Sequence, residues 1–242
     1  AGSKGVVLTG LNDKNAQLVA LEINKVLKSE IIDTNNTLNI RQGNDAEVAQ
    51  LVSEMKSGKV AGLISYNVDP VYSLPNSSEF IDGLNNVEIS VALSLENNET
   101  TNLSNFALPT PHYLESWGDA QFDSALYGLM QPTIQPLFNT RQIQDVLLKW
   151  SGSSVSYYDY LKEFASTNIL ESTSWNTALH NGFHKIQVSR LSEVSGSTVI
   201  IADVASQLMK STKASEFELN LYTSTGLGDG KQANNPWLQE FP

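Results

Sequence analysis

The sequence predicts an α/β chain: a Rossmann-like three-layer unit with a mainly parallel sheet, followed by a helix-rich segment and a short C-terminal strand region. Three observations carry this. Short β-branched or apolar runs alternate with helix-length amphipathic stretches over residues 5–108, the trace that parallel strands joined by helical crossovers leave in a sequence. Residues 60–66 (VAGLISY) form a nearly continuous apolar run, as expected for a strand covered on both faces. Beyond residue 125 helical spacing dominates, so the chain divides into an α/β part, 1–125, and a mainly helical extension with late strands, 126–242. The two are expected to pack as one domain of a longer chain.

Taken in order, residues 6–9 (VVLT) are β-branched and end at Gly10, and Asn12-Asp13 can cap the helix that follows. Ala16, Val19, Ala20, Ile23, Val26 and Leu27 then recur at the spacing of one helical face over residues 14–28. Residues 44–47 (NDAE) have capping-box chemistry ahead of a second apolar stripe, Val48, Leu51, Val52 and Met55, closed by Gly58. The 60–66 run ends in NVDP, a turn signal, and Pro75 with its Asn/Ser neighbours can start a short helix through Phe80, Ile81 and Leu84. Residues 87–94 (VEISVALS) alternate at a period of two, a polar helix-sized segment follows, and residues 106–108 make a last short strand before Pro109. In the second part, residues 141–150, 157–164 and 174–183 read as helices, residues 199–204 and 217–222 as strands, and LGDGKQANN as a Gly/Asn-rich loop.

The composition excludes several classes. A net charge of −11 and no run of Lys or Arg argue against nucleic acid as a partner. No apolar run reaches the roughly 18 residues of a membrane-spanning helix, so direct membrane insertion is not expected. The absence of cysteine removes thiolate nucleophiles, cysteine-ligated iron–sulfur clusters and Cys-type zinc sites from this stretch. A chain that opens on Ala1 almost directly into a strand pattern and stops at Phe241-Pro242 is expected to be a piece of something longer.

Candidate chemistry is sparse. The first βα turn, TGLNDKN, lacks the GxGxxG glycines that let a pyrophosphate approach the backbone. The stretch LPTPHYLESWGDAQ, residues 108–121, crowds His112, Glu115, Trp117 and Asp119 together, but in no metal-ligand spacing. It reads as the exit from the last sheet strand, with Gly118 permitting a sharp turn, Glu115 and Asp119 tying the loop to backbone N–H groups, and Tyr113 and Trp117 pinning it to the domain. His180 and His184, one turn apart on an expected helix, lack the intervening Glu of a zinc motif. There is no GxSxG elbow, and the four tryptophans are scattered as core or interface anchors. No catalytic residue and no metal ligand are assigned.

NVDPVYSLP (67–75), VEISVALS (87–94), NETTNLSNFALP (98–109) and YLESWG (113–118) together resemble a series found in molybdopterin oxidoreductases of the dimethyl sulfoxide reductase type. Asp69-Pro70 stands where Asn-Pro is common in that family, and Asn105 near where it has Asp. HYLESWGDAQ, QPTIQPLF (131–138) and ANNPWLQEFP (233–242) are closer to one subgroup, the large iron–sulfur, molybdopterin-oxidoreductase-like subunit of alternative complex III, a bacterial quinol-oxidising membrane complex. The resemblance implies a Rossmann-like domain without metal ligands. It implies iron–sulfur clusters elsewhere in the full chain, neighbouring domains and subunits including cytochrome c-type ones as partners, and a place on the periplasmic side of a bacterial inner membrane.

Two functions follow as expectations. The first is a non-catalytic scaffold domain of such a respiratory oxidoreductase, supporting electron transfer and inactive in isolation, with no cofactor of its own. The second is a domain holding the nucleotide tail of a molybdopterin cofactor. Its contacts would be Gly10, Leu11, Asn12, Asn67, Asp69 and the 94–101 loop with Ser94, Glu96, Glu99, Thr100 and Thr101, at the carboxyl ends of the strands.

Overall fold

The computed structural model describes residues 2–33, 38–39, 43–187, 200–211, 216–217, 219, 222–228, 230 and 232–240. Its elements, in chain order, are α1 (Lys14–Leu27), α2 (Asp45–Lys56), β1 (Gly62–Tyr66), α3 (Pro70–Ser73), α4 (Ser77–Leu84), β2 (Ile89–Ser94), α5 (Glu99–Leu103), β3 (Phe106–Pro109), β4 (Gly118–Gln121), β5 (Leu126–Met130), α6 (Ile143–Trp150), α7 (Tyr157–Asn168), α8 (Trp175–Asn181), β6 (Phe183–Lys185), α9 (Ile201–Ser211) and α10 (Pro236–Gln239). They fall into two compact units. One comprises residues 1–38, 123–125 and 187–222, the other residues 39–122, 126–186 and 223–242.

In the first unit α1 packs against α9. Asp13 caps α1 by accepting the Ala16 N–H at 2.9 Å, which satisfies one of the donors a helix start leaves open. The strand expected at residues 6–9 has no ladder partner among the described residues. Its pairing is taken over by a side chain: Asn24 accepts from Val7 N at 2.7 Å and donates to Val7 O at 2.8 Å, as a neighbouring strand would. The strand expected at 199–204 is corrected: from Ile201 onward it is α9, because Ile201, Val204 and Leu208 share a helical stripe that a six-residue window conceals. Half of the strand expected at 217–222 lies outside the described residues.

The second unit is built on a parallel sheet in the order β1-β2-β3, with Leu63 opposite Ser90 and Ala92 opposite Ala107. The fold is thus mixed α/β with a parallel, Rossmann-like core. The helices α3 and α4 connect β1 to β2, and α5 connects β2 to β3. Val52 and Met55 of α2 interlock with Phe80 and Leu84 of α4 and with Val87, and Leu63 of β1 packs on this cluster. Gly83 makes the approach possible, since a Cβ there would stand 3.0 Å from Met55 Cβ. Contrary to the reading of residues 60–66 as covered on both faces, Ile64 and Tyr66 are exposed, as are Ile89 and Phe106 on the same side of the sheet.

A second, antiparallel sheet, β4-β5-β6, was not expected from the sequence. Tyr127 of β5 joins Tyr157, Leu161 and Ala165 of α7, Leu170, and Trp175 and Ala178 of α8 in a second core. Ser156 and Ser174 cap α7 and α8, each accepting an N–H three residues on. Gly118 is not at a sharp turn. It opens β4, where a Cβ would lie 2.7 Å from Met130 Cε, so the glycine makes room across the strand pair. His184 lies on β6 and His180 on α8, so the two histidines do not share a helix.

Candidate functional site

A cleft of about 920 Å3 opens at the carboxyl ends of β1, β2 and β3, within the second unit. This is where ligands bind in open parallel sheets, beyond the strand ends. Its walls come from the β1 exit (Tyr66, Asn67, Asp69, Tyr72), the β2 exit (Ser94, Glu96, Asn97, Asn98, Glu99) and the run after β3 (Thr110, His112, Tyr113, Trp117, Asp119), with Gln142, Gln144, Gln232 and Asn234.

The chain leaves β1 through Asn67, whose φ of 51° is a left-handed conformation that asparagine tolerates, and whose N–H donates to Leu93 O at 2.8 Å. Asp69 then caps α3 and holds α5. Its Oδ1 accepts from Tyr72 N at 3.3 Å, from Thr100 N at 3.2 Å and from the Thr100 hydroxyl. Burial alone would raise the Asp69 pKa. The hydrogen bonds from Thr100, with the Glu99 side chain and from the Tyr72 and Thr100 backbone outweigh it and hold the carboxyl below its usual value. Thr100 also receives the Val71 N–H at 3.1 Å and is 1% exposed.

The β2 exit is equally self-contained. Asn98 and Thr101 form a reciprocal capping box, Thr101 N donating to Asn98 Oδ1 at 2.9 Å and Asn98 N to Thr101 Oγ1 at 2.8 Å. The Thr101 hydroxyl also donates to Asn97 Oδ1 at 2.8 Å. The buried Ser94 accepts from Asn98 Nδ2 at 3.4 Å, and its carbonyl takes the Thr110 N–H.

Beyond β3, His112 accepts the Leu114 N–H on Nδ1 at 3.3 Å, and Glu115 reaches back to His112 N at 3.3 Å. Glu115 therefore ties the loop to backbone as the sequence suggests. Asp119 does not: its two carboxylate oxygens accept the hydroxyls of Tyr127 and Tyr157, each at 2.8 Å. Burial, then the hydrogen bond and charge of Asp119, push both phenols well above the usual tyrosine range. Trp117 packs on Tyr158, ring centroids 4.6 Å apart, whereas Tyr113 is exposed and pins nothing.

Of the residues singled out from the sequence, Asn67, Asp69, Ser94, Glu96 and Glu99 line the cleft. Thr100 and Thr101 are buried behind it. Gly10, Leu11 and Asn12 belong to the first unit, where Gln17 binds the Thr9 and Leu11 carbonyls, while the cleft is built wholly from the second. Sequence reasoning missed Tyr72, Gln142, Gln144 and the return of Gly230, Gln232, Ala233 and Asn234. Gly230 packs so closely that a Cβ would stand 2.9 Å from the Tyr72 hydroxyl, a contact across more than half the chain with no local signal.

A phosphate-bearing cofactor tail needs cationic side chains or free N–H groups. The lining holds Asp69, Glu96, Glu99 and Asp119 and, among the described residues, neither Lys nor Arg. At the start of α5 the Thr100 N–H is spent on Asp69 and the Thr101 N–H on Asn98. These residues do not fit a pyrophosphate. Among the described residues no group of three or more His, Asp or Glu is placed to hold a metal ion.

Fold and cleft together define an α/β domain of the open parallel-sheet class. No family model matches the chain. Over 130 residues, half of this chain and 19% of the other, it is 28% identical to the menaquinone reductase, molybdopterin-binding-like subunit, of Nitratidesulfovibrio vulgaris. The chain thus spans about a fifth of that relative's length. Among solved structures, acetylene hydratase from Pelobacter acetylenicus superposes with a TM-score of 0.41 at 14% identity, over 58% of this chain and 21% of that one.

Proposed function

We propose that the chain is a non-catalytic scaffold domain of a molybdopterin-type oxidoreductase subunit in a respiratory, quinol-oxidising complex of the alternative complex III kind. The observation that carries this reading is the chemistry of the cleft. The strand-end loops that would cradle a nucleotide spend their polar groups on one another, and the remaining lining is acidic. The similarity to a molybdopterin-binding-like subunit of menaquinone reductase supports membership of a multi-subunit quinone-handling assembly. On this reading residues 1–125 and 126–242 belong to one domain of a longer chain that carries its iron–sulfur clusters elsewhere. It contacts other domains and subunits, cytochrome c-type ones among them, and stands on the periplasmic side of the membrane. Among the described residues no helix is long and apolar enough to cross one.

The second reading, a domain holding the nucleotide tail of molybdopterin, is favoured by one observation: the cleft lies at the carboxyl ends of the parallel strands and includes Asn67, Asp69, Ser94, Glu96 and Glu99. The experiment that separates the two is expression of the full-length subunit in a cofactor-competent host, followed by assay of pterin and molybdenum. The scaffold reading expects neither in this domain. Stoichiometric cofactor, lost on mutating Asn67 and Ser94, would sink it.

A further inference from the structure

We infer that the cleft is a docking groove for an arginine-bearing extended segment of a partner polypeptide, an inference that rests on the scaffold reading above. Three features of the groove agree on this occupant.

The first is charge. Asp69, Glu96, Glu99 and Asp119 line the groove; Asp69 is hydrogen-bonded to Thr100 and Glu99 and Asp119 to two tyrosines, whereas Glu96 has no hydrogen-bond or ion-pair partner among the described residues, whose ion pairs (Lys25 with Glu22, Lys56 with Glu79) lie elsewhere. A groove of one sign favours an occupant of the other. The second is the aromatic wall. Tyr66, Tyr72 and Tyr113 are exposed there beside Trp117, and planar guanidinium groups stack on such faces. The third is extent. The carboxylates do not converge as metal ligands do, and about 920 Å3 is the size of a site for several residues rather than one ion. Asn97 Oδ1 is taken by Thr101 and Gln142 Nε2 by Gln144 Oε1, which leaves the Asn97 and Gln144 amide N–H groups and the Gln142 amide oxygen on the same walls to serve the main chain of an extended peptide.

The test is a titration of the 242-residue chain with a nine-residue alternating Arg-Gly peptide at low salt, followed by calorimetry and by tryptophan fluorescence. Saturable binding is expected. Glu96→Gln should weaken it by about fivefold or more, the usual effect of removing one charged partner, and Tyr113→Ala should weaken it as well. Glu47→Gln/Glu54→Gln, which removes two carboxylates on α2 outside the groove, should leave it unchanged. Both groove positions are exposed, and an unaltered urea midpoint verifies that the variants fold. Absence of binding, equal weakening by the α2 variant, or equally tight binding of the free polyamine spermidine would each overturn the inference. A failed titration alongside a cofactor-free full-length subunit removes this inference alone. Stoichiometric cofactor in that subunit removes the scaffold reading and this inference with it.

Discussion

Asp119 joins the lining of the cleft to the second core, and its replacement measures how much that link stabilises the fold. Its carboxylate receives two phenolic hydroxyls at 2.8 Å, from Tyr127 and Tyr157, and both rings are buried in the second core. Hydrogen bonds to a charged acceptor contribute about 1.5–3 kcal/mol each. Asp119 is itself solvent-exposed, so the lower end applies, and Asp119→Ala should cost about 3 kcal/mol for the pair once both hydroxyls lose their acceptor. Asp119→Asn keeps one acceptor oxygen and should cost about half of that. The assay is urea unfolding followed by far-ultraviolet circular dichroism, with a double-mutant cycle against Tyr157→Phe to isolate the coupling. A loss below about 0.5 kcal/mol in Asp119→Ala, or a cycle without coupling, would refute the structural role.

Further outcomes follow from the same geometry. In spectrophotometric titration two of the eight tyrosines, Tyr127 and Tyr157, should fail to ionise with the others. Because their folded pKa values are raised, the stabilisation they report is complete below about pH 10 and is lost only as pH climbs beyond it. For Asp69 the sign is opposite. Its folded pKa is depressed, so the stability difference between the native chain and Asp69→Asn should be constant at neutral pH and shrink as pH falls below about 4, read from urea midpoints. Leu161→Ala, at a site 2% exposed between α7 and its neighbours, should cost about 2–5 kcal/mol in chemical unfolding. Gly83→Ala should cost about 1–3 kcal/mol, since its methyl would crowd the Met55 Cβ.

The sequence was most legible where local chemistry decides the outcome. Asn44 caps α2 as NDAE suggests, through Ala46 and Glu47 N–H groups, although no bond from the Glu47 side chain completes the box. The three parallel strands, α1 and α4 follow their periodicities to within two residues, and α5 falls inside the polar helix-sized segment expected between β2 and β3. The antiparallel sheet was hidden because GDAQ has no apolar alternation. Its place is set by pairing with β5 and by Asp119 reaching Tyr157, 38 residues on. Residues 6–9 carry strand composition, but the pairing is supplied by Asn24, which no propensity can announce. At the cleft, the β1 and β2 exits that the sequence singled out lie at the strand ends and line it. It could not show that Asp69, Thr100 and Thr101 turn inward on one another, since that depends on α3 meeting α5.

The most direct test of the account is the affinity of this chain for a pyrophosphate-bearing nucleotide. Guanosine diphosphate titrated against the 242-residue chain and followed by phosphorus NMR should show no saturable shift beyond that of a salt control, because the described lining offers carboxylates and spent N–H groups. Saturable binding abolished by Asn67→Ala or Ser94→Ala would contradict it and return the cleft to the cofactor.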